Sequence, residues 1–383
     1  MSQPAVSDVP MHLTRSTRDP EEIRSRLTAW LTEVLPDGAE PEVTLHAGID
    51  ANGMSSETVI LDVTYTDDSG RRTGEYVARV APSTTDVPVF PEYNLEHQYE
   101  AMRLAAELTE VPVPRVHWFE RSGDVLGSPF FLMERIEGVV PPDVLPYTFG
   151  DNWLYDATPE QQEKLMRTSV AVLARLHAIP DAATTFAFLD PRLSGYDGRT
   201  PLARNLAKLR GWYEWATGGA DETVAPSPLM ERALTWLEAN LPDSDEAVLV
   251  WGDARIGNMM YQDFEPTAVL DWEMATLGPR ELDASWIAFA HLVFNEIAGV
   301  LELPGMPDFL TPQKVAALYE EASGVKLGDL TWYFVYNAVH WGCVFLRTGT
   351  RQIHFGEIEA PPETDAFFHH RPLFERLLNE VGA

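Results

Sequence analysis

The stretch from Trp251 to Glu273, WGDARIGNMMYQDFEPTAVLDWE, constrains this chain more than any other. Two short apolar runs, residues 246–251 (EAVLVW) and 268–270 (AVL), read as buried strands, and the polar segment between them as a loop pinned at both ends. A loop held on two strands places its side chains firmly. This one offers Asp253, Asn258 five residues on, and Asp271 just after the second run. Those residue types suit a particular reaction. Phosphoryl transfer needs a carboxylate to orient or deprotonate an attacking hydroxyl. It also needs hard oxygen ligands, here an amide and a carboxylate, to hold Mg2+ against the phosphates. An isolated Asp-x4-Asn has an ordinary explanation as well, because both residues are favoured in turns.

Asp-x4-Asn is also the catalytic-loop spacing of protein kinases, and an Asp after the next strand corresponds to their metal-binding Asp. The whole stretch resembles the HGD-x4-N … (I/L)DWE signature of the aminoglycoside phosphotransferase-like family, and residues 278–286 (GPRELDASW) resemble its continuation. The DWE turn and the GNMMY segment look most similar to the branch fused to acyl-CoA dehydrogenases. Trp251 stands where the family usually has His, a residue that generally supports the loop, so the departure bears on loop packing more than on chemistry.

The resemblance implies an α+β, two-lobed protein-kinase-like fold. A small antiparallel-sheet lobe over residues 1–134, with a leading helix at about 20–35, would clamp nucleotide, and a larger, mostly helical lobe over 135–383 would carry the chemistry. It implies Asp253 as the base, with Asn258 and Asp271 as Mg2+ ligands and Glu273 secondary. Arg255, inside the loop, either offsets transition-state charge or pairs with acids of the loop. Asp283 is expected to brace the loop, and His177 to be a structural hydrogen-bonding residue.

Composition sets the outer bounds. At 383 residues and 45% apolar content, the chain can bury two substantial cores. Cys343 is the only cysteine, which excludes an intramolecular disulfide and a four-thiolate metal site. No apolar run approaches the roughly 18 residues of a membrane span, and the first twenty residues lack a signal-like apolar core, so a cytoplasmic protein without a membrane partner is expected. A formal charge of −31 argues against a nucleic-acid partner. It reads either as solubility or as an acidic cleft suited to cationic acceptors. Lysine is scarce: only Lys164, Lys208, Lys314 and Lys326, with none in the first 163 residues.

In the first lobe, Asp19-Pro20-Glu21-Glu22 opens a helix with Ile23, Leu27, Trp30, Leu31 and Val34 at helical spacing. Alternation at Val59, Leu61, Val63 and Tyr65, a turn at residues 67–70, and Tyr76 to Val80 predict a strand pair. Ahead of it, the Gly48–Ser56 segment is either an ordinary hairpin or a phosphate loop using Ser55 or Ser56, and its position resembles the family's phosphate loop. A kinase-like lobe needs a cation on the returning strand to hold the α- and β-phosphates, and Arg79 is the candidate because no lysine is there. Arg can bind phosphate bidentately, although its reach differs from lysine's. On the helix predicted over 95–108, Glu96 and Glu100 share a face, and Glu100 fits the family's Glu-Ala-x-x-Leu as the partner that would fix Arg79. The apolar strand at 129–133 exits through MERIEG, which matches the family's hinge pattern. Backbone groups of Met133, Glu134 and Ile136 would then read the nucleotide base.

Beyond the hinge, residues 141–153 form an aromatic-bearing insertion that either lines an acceptor pocket or packs, and the aromatic faces near 212–215 and 332–345 read as core. The expected activity is Mg2+-dependent transfer of the γ-phosphoryl of ATP or GTP to a hydroxyl of a small acceptor. That acceptor is an aminoglycoside or, following the dehydrogenase-fused branch, a hydroxyacyl thioester or another apolar hydroxylated metabolite. The alternative from another class is a catalytically silent nucleotide-binding or regulatory module. A protein kinase is disfavoured, since no APE-like segment follows the metal turn.

Overall fold

A computed structural model of the protein describes residues 19–46, 57–82, 87–143, 145–218 and 224–383. The chain divides into two compact units, one made of Met1–Asp86 and Val116–Arg135, the other of Val87–Arg115 and Ile136–Ala383.

In the first unit, α1 (Pro20–Val34) is followed by β1 (Glu42–Leu45), β2 (Glu57–Asp67) and β3 (Gly70–Val80). Helix α1 starts where the sequence predicts, with the Asp19 side chain accepting from the Glu21 amide and proline in the first turn. After the excursion of α2 (Leu95–Leu108), which falls in the second unit, the chain returns as β4 (Val116–Glu120) and β5 (Phe130–Glu134). The five strands form one antiparallel sheet in the order β1-β2-β3-β5-β4. Strand β4 is an edge, as the prolines at 112 and 114 just ahead of it require. Ile23, Leu27, Trp30 and Leu31 of α1 join Val59, Leu61 and Val63 of β2 and Tyr76, Ala78 and Val80 of β3 in one core. Fully burying each valine, leucine or isoleucine of this core is worth about 1.5–3 kcal/mol. Because strand side chains alternate, that arrangement sends Val77 and Arg79 to the opposite sheet face, where their cross-strand partners on β5 are Met133 and Phe131.

The second unit is mainly helical: α3 (Pro159–His177), α4 (Ala182–Thr185), α5 (Pro201–Gly218) and α6 (Pro228–Ala239) come before the site, and α7 (Glu281–Val300), α8 (Pro312–Ser323), α9 (Thr331–His354) and α10 (Arg371–Glu380) after it. Between them lie four short strands: β6 (Val248–Val250), β7 (Met259–Gln262), β8 (Glu265–Val269) and β9 (Thr276–Gly278). Here the strand–loop–strand expectation needs correction. The two apolar runs are both strands, but they do not frame one loop: β6 pairs with β9, and β8 pairs with β7. The β7–β8 hairpin turns through Asp263 and Phe264, both at positive φ (48° and 62°). That geometry belongs to a two-residue I′ turn, normally announced by Asn-Gly or Asp-Gly. Phenylalanine at its second position hid the hairpin from a sequence reading. Among the described residues no helix is long and apolar enough to cross a membrane.

Candidate active site

Past β6 the chain turns at Gly252, φ +94°, a conformation open to glycine at no steric cost. A Cβ there would lie 2.2 Å from the Met274 carbonyl oxygen, so the turn also needs glycine for close approach. Asp283, at the start of α7, accepts from the Trp251 and Gly252 amides, each at 2.8 Å. The same carboxylate meets His177 Nε2 at 3.0 Å, and the other ring nitrogen of His177 meets the Tyr319 hydroxyl at 2.8 Å. Both the Asp283 and His177 side chains are 0% exposed. A carboxylate so buried is stable only with hydrogen-bonding partners, and the Trp251 and Gly252 amides and the His177 ring supply three. Asp283 therefore braces the loop, and His177 orients the brace.

Trp251 is fully buried, and its indole N–H donates to the Leu270 carbonyl at 2.9 Å and the Asp271 carbonyl at 3.2 Å. The residue that departs from the family pattern thus ties the loop to the turn that bears Asp271.

Asp253 is held from three directions. Trp286 Nε1 donates to Oδ1 at 2.8 Å, Arg255 Nε to both oxygens at 3.1 and 3.0 Å, and the Asn258 amide to Oδ2 at 2.6 Å. Asn258 also donates to the Asp253 backbone carbonyl at 3.1 Å, which closes the loop on itself. The far end of Arg255 pairs with Asp143. Burial works against the guanidinium's charge, but the carboxylates of Asp253 and Asp143 outweigh it and raise its pKa above the ordinary value. Burial also raises the Asp143 carboxyl, against the pull of Arg255. Gly257 makes room for this contact, since a Cβ on it would lie 2.5 Å from both Asp143 carboxylate oxygens. Asp143 belongs to the insertion at 141–153, which otherwise packs: Tyr147 is buried against His291, Phe294 and Phe309. Nothing in the sequence marks Asp143, more than a hundred residues upstream of its partner.

Asn258 and Asp271 are brought to one end of the β7–β8 hairpin. Met259 pairs with Val269, and the Leu270 amide donates to the Asn258 carbonyl at 2.8 Å. Asp271 adopts a left-handed conformation (φ +59°) and residues 273–274 form a turn, so Asp271 and Glu273 do not sit on one extended stretch. Glu273 instead lines a neighbouring cavity. The donor chemistry fits Mg2+. Asn258 spends its N–H groups on Asp253, which turns the amide oxygen the other way, and Asp271 adds a carboxylate. Among the described residues no group of three or more His, Cys, Asp or Glu could hold a metal. Two hard oxygen ligands, with water and phosphate completing the shell, is the usual Mg2+ arrangement.

The predicted nucleotide-binding residues are spread over both units. Ser55 and Ser56 lie outside the described residues. Arg79 is half-buried on the sheet face turned away from the α1 core, the face shared with Phe131 and Met133. Met133 and Glu134 end β5, and Ile136 begins the second unit. Glu100 accepts from Arg103 on its own helix, at 3.0 and 2.8 Å.

The cavity beside the loop lies within the second unit. Gly252, Trp272 and Trp286 line it from the loop side, Lys208 and Trp212 from α5, and Tyr336 and His340 from α9. Asn205 fixes α5 here, donating to the Leu277 carbonyl at 2.8 Å and accepting from Thr276 Oγ1 at 3.0 Å. Burial pushes His340 down to about 3, with the Lys208 charge acting the same way and Asp253 opposing, so its imidazole is neutral near pH 7. The sequence reading placed these aromatic faces in the core. The structure divides them: Trp212 donates to the Val89 carbonyl at 3.0 Å as a core residue does, yet presents itself to the cavity.

Known proteins resemble the chain in family and in fold. The model of the phosphotransferase enzyme family matches residues 56–303. A probable acyl-CoA dehydrogenase of Arabidopsis thaliana, IBR3, is 25% identical over 296 residues, covering 74% of this chain. The chain spans only 33% of that relative's length, and 18% and 37% of two rodent acyl-CoA dehydrogenase family members. A crystal structure from Ralstonia eutropha, described there as a provisional aminoglycoside phosphotransferase, superposes with a TM-score of 0.64 at 20% identity. It covers 94% of this chain and 98% of its own. A thermostable mutant of aminoglycoside phosphotransferase APH(4)-Ia, solved with ADP and hygromycin B, gives 0.52 at 15% identity, covering 93% and 99%. At these identities the structures speak to the fold, which is the kinase-like α+β arrangement.

Proposed function

The chain belongs to the phosphotransferase enzyme family, and from that premise we propose that it is a Mg2+-dependent small-molecule kinase, transferring the γ-phosphoryl of ATP or GTP to an alcohol. The observation that carries the reading is the fixed position of Asp253, held by Trp286, Arg255 and Asn258 beside an open cavity. An acceptor hydroxyl placed there forms its new bond to the γ-phosphorus as the bond from phosphorus to the β–γ bridging oxygen breaks. The hydroxyl proton passes to Asp253, and the nucleoside diphosphate leaves with the bridging oxygen's charge. Arg255, one bond from Asp253, keeps a positive charge next to the transferring group. Asn258 and Asp271 would hold Mg2+, which when bound neutralises phosphate charge.

Arg79 would bind the α- and β-phosphates, with Glu100 as its helix partner once released from Arg103, and Ser55 or Ser56 would cover them. Backbone groups at Met133, Glu134 and Ile136 would read the base. The acceptor is a small hydroxylated molecule. Similarity to acyl-CoA dehydrogenase family members favours a hydroxyacyl thioester or a related apolar metabolite over an aminoglycoside. A cytoplasmic site of action, without nucleic-acid or membrane partners, completes the proposal.

The test is release of ADP or GDP in the presence of Mg2+ and a panel of hydroxylated acceptors, with wild type and Asp253→Asn side by side. Acceptor-dependent release that disappears in the variant supports a kinase. Nucleotide binding without transfer to any acceptor would mean a silent binding module.

A further inference from the structure

Of the chain's four lysines, Lys208 alone lines the cavity beside Asp253. It sits on the α5 face that also carries Asn205 and Trp212, and Asn205 anchors that face to β9. Among the described residues its ammonium has no hydrogen-bond or ion-pair partner, although the chain holds 59 acidic residues. The other charged groups of the lining do not answer it. Asp190 is taken by Arg192 and Arg204, at 2.6 and 2.8 Å. Glu92 acts on Lys208 through its charge but forms no ion pair with it. Glu273 stands on the loop side, next to Trp272. The two histidines of the lining, His97 and His340, are both held neutral near pH 7, chiefly by burial and further by the Lys208 charge. Among the described residues Lys208 is therefore the cavity's one cation, in a wall that also presents the rings of Trp212, Trp286 and Tyr336. Burial lowers the Lys208 pKa, with the Glu92 charge opposing, and an anion brought against it from outside would stabilise the ammonium form.

We propose that Lys208 is the anion-binding residue of the acceptor site, and that the acceptor is an apolar hydroxylated molecule bearing a carboxylate. This rests on the kinase reading of the same site and, of the apolar acceptors named there, selects one with a free carboxylate rather than a thioester. The acceptor's anionic end lies at Lys208, its carbon stem against the indoles, and its hydroxyl toward Asp253, whose oxygen Trp286 already touches from the cavity wall. The proposal reverses the expectation from net charge. At −31 the protein as a whole attracts cations, but selection is made at close range, where an unscreened ammonium outweighs distant charge.

Three matched probes test it: 8-hydroxyoctanoate, 8-hydroxyoctanamide and 8-amino-octan-1-ol, with binding to wild type, Lys208→Met and Lys208→Arg followed by ligand-observed NMR. Binding is the readout, so the result does not depend on turnover. Wild type is expected to bind the carboxylate about tenfold more tightly than the amide, and the amine most weakly. Lys208→Met should bring acid and amide to within about twofold while leaving amide binding intact, which shows that the pocket is folded, and Lys208→Arg should keep the preference. Equal binding of the three by wild type, tightest binding of the amine, binding of none, or an unchanged preference in Lys208→Met would overturn the proposal. Failure of the kinase reading looks different: acid-selective binding through Lys208 would persist with no nucleotide turnover.

Discussion

Between Trp251 and Asn258 the side chains of Asp253, Arg255 and Asn258 bond to one another and to Trp286, whereas in the neighbouring cavity the Lys208 ammonium meets no acceptor among the described residues. The two regions share a wall, through Gly252 and Trp286, but differ in how they are built. The loop is over-determined: Asp283 and the Trp251 indole hold it by separate hydrogen bonds, and the glycines at 252 and 257 leave room for its close approach to Met274 and Asp143. The cavity is left incomplete at one point. A site that performs one reaction must hold its reacting groups still before substrate arrives. A site that selects a substrate does so with groups satisfied only by the right one.

If that division holds, damage to the two regions has different signatures. The largest effect is expected from Asp253→Asn, which removes the base and should lower turnover about a thousandfold for every acceptor alike. A loss confined to some acceptors would instead place Asp253 in selection. Next comes Asp283→Ala, which strands the Trp251 and Gly252 amides and the buried His177 ring. Denaturant unfolding should show a loss of about 3 kcal/mol, and an unchanged midpoint would mean that the brace is dispensable. Gly252→Ala forces a Cβ against the Met274 carbonyl at positive φ and should cost about 2 kcal/mol, with turnover falling along with the melting temperature. The smallest effect is Trp251→Phe, which keeps the packing but deletes the two indole bonds. We expect about 1 kcal/mol of stability to go, together with weaker Mg2+ dependence, because Asp271 loses its tie to the loop. Stability lost without any change in Mg2+ dependence would limit Trp251 to packing.

The same division explains what the sequence made legible. Asp253, Asn258 and Asp271 fall within 19 residues, because one strand, one loop and one hairpin position them, and local spacing records that. The first-unit strands and α1 were equally readable, since Val59 to Tyr65 alternate and Ile23 to Leu31 repeat at helical spacing. The β7–β8 hairpin was not, because Phe264 occupies a turn position that ordinarily carries glycine. Asp143, Lys208, Trp286 and His340 were missed as site residues for another reason. They come from four separate segments, and each looks alone like a solvated charge or a core aromatic. Trp251 is instructive in the opposite sense. As a departure from the family pattern it bears on how the loop packs, and its indole supports the loop through two bonds.

The most direct measurement of the central claim is thermal stability with ATP or GTP, with and without Mg2+, on wild type and Asp271→Ala. Nucleotide at about 100 times its Kd should stabilise the wild type by ~2.7 kcal/mol, a readily visible rise in melting temperature. The account predicts a rise that requires Mg2+ and is lost in Asp271→Ala. No rise with either nucleotide, or one that persists undiminished in Asp271→Ala, would contradict it.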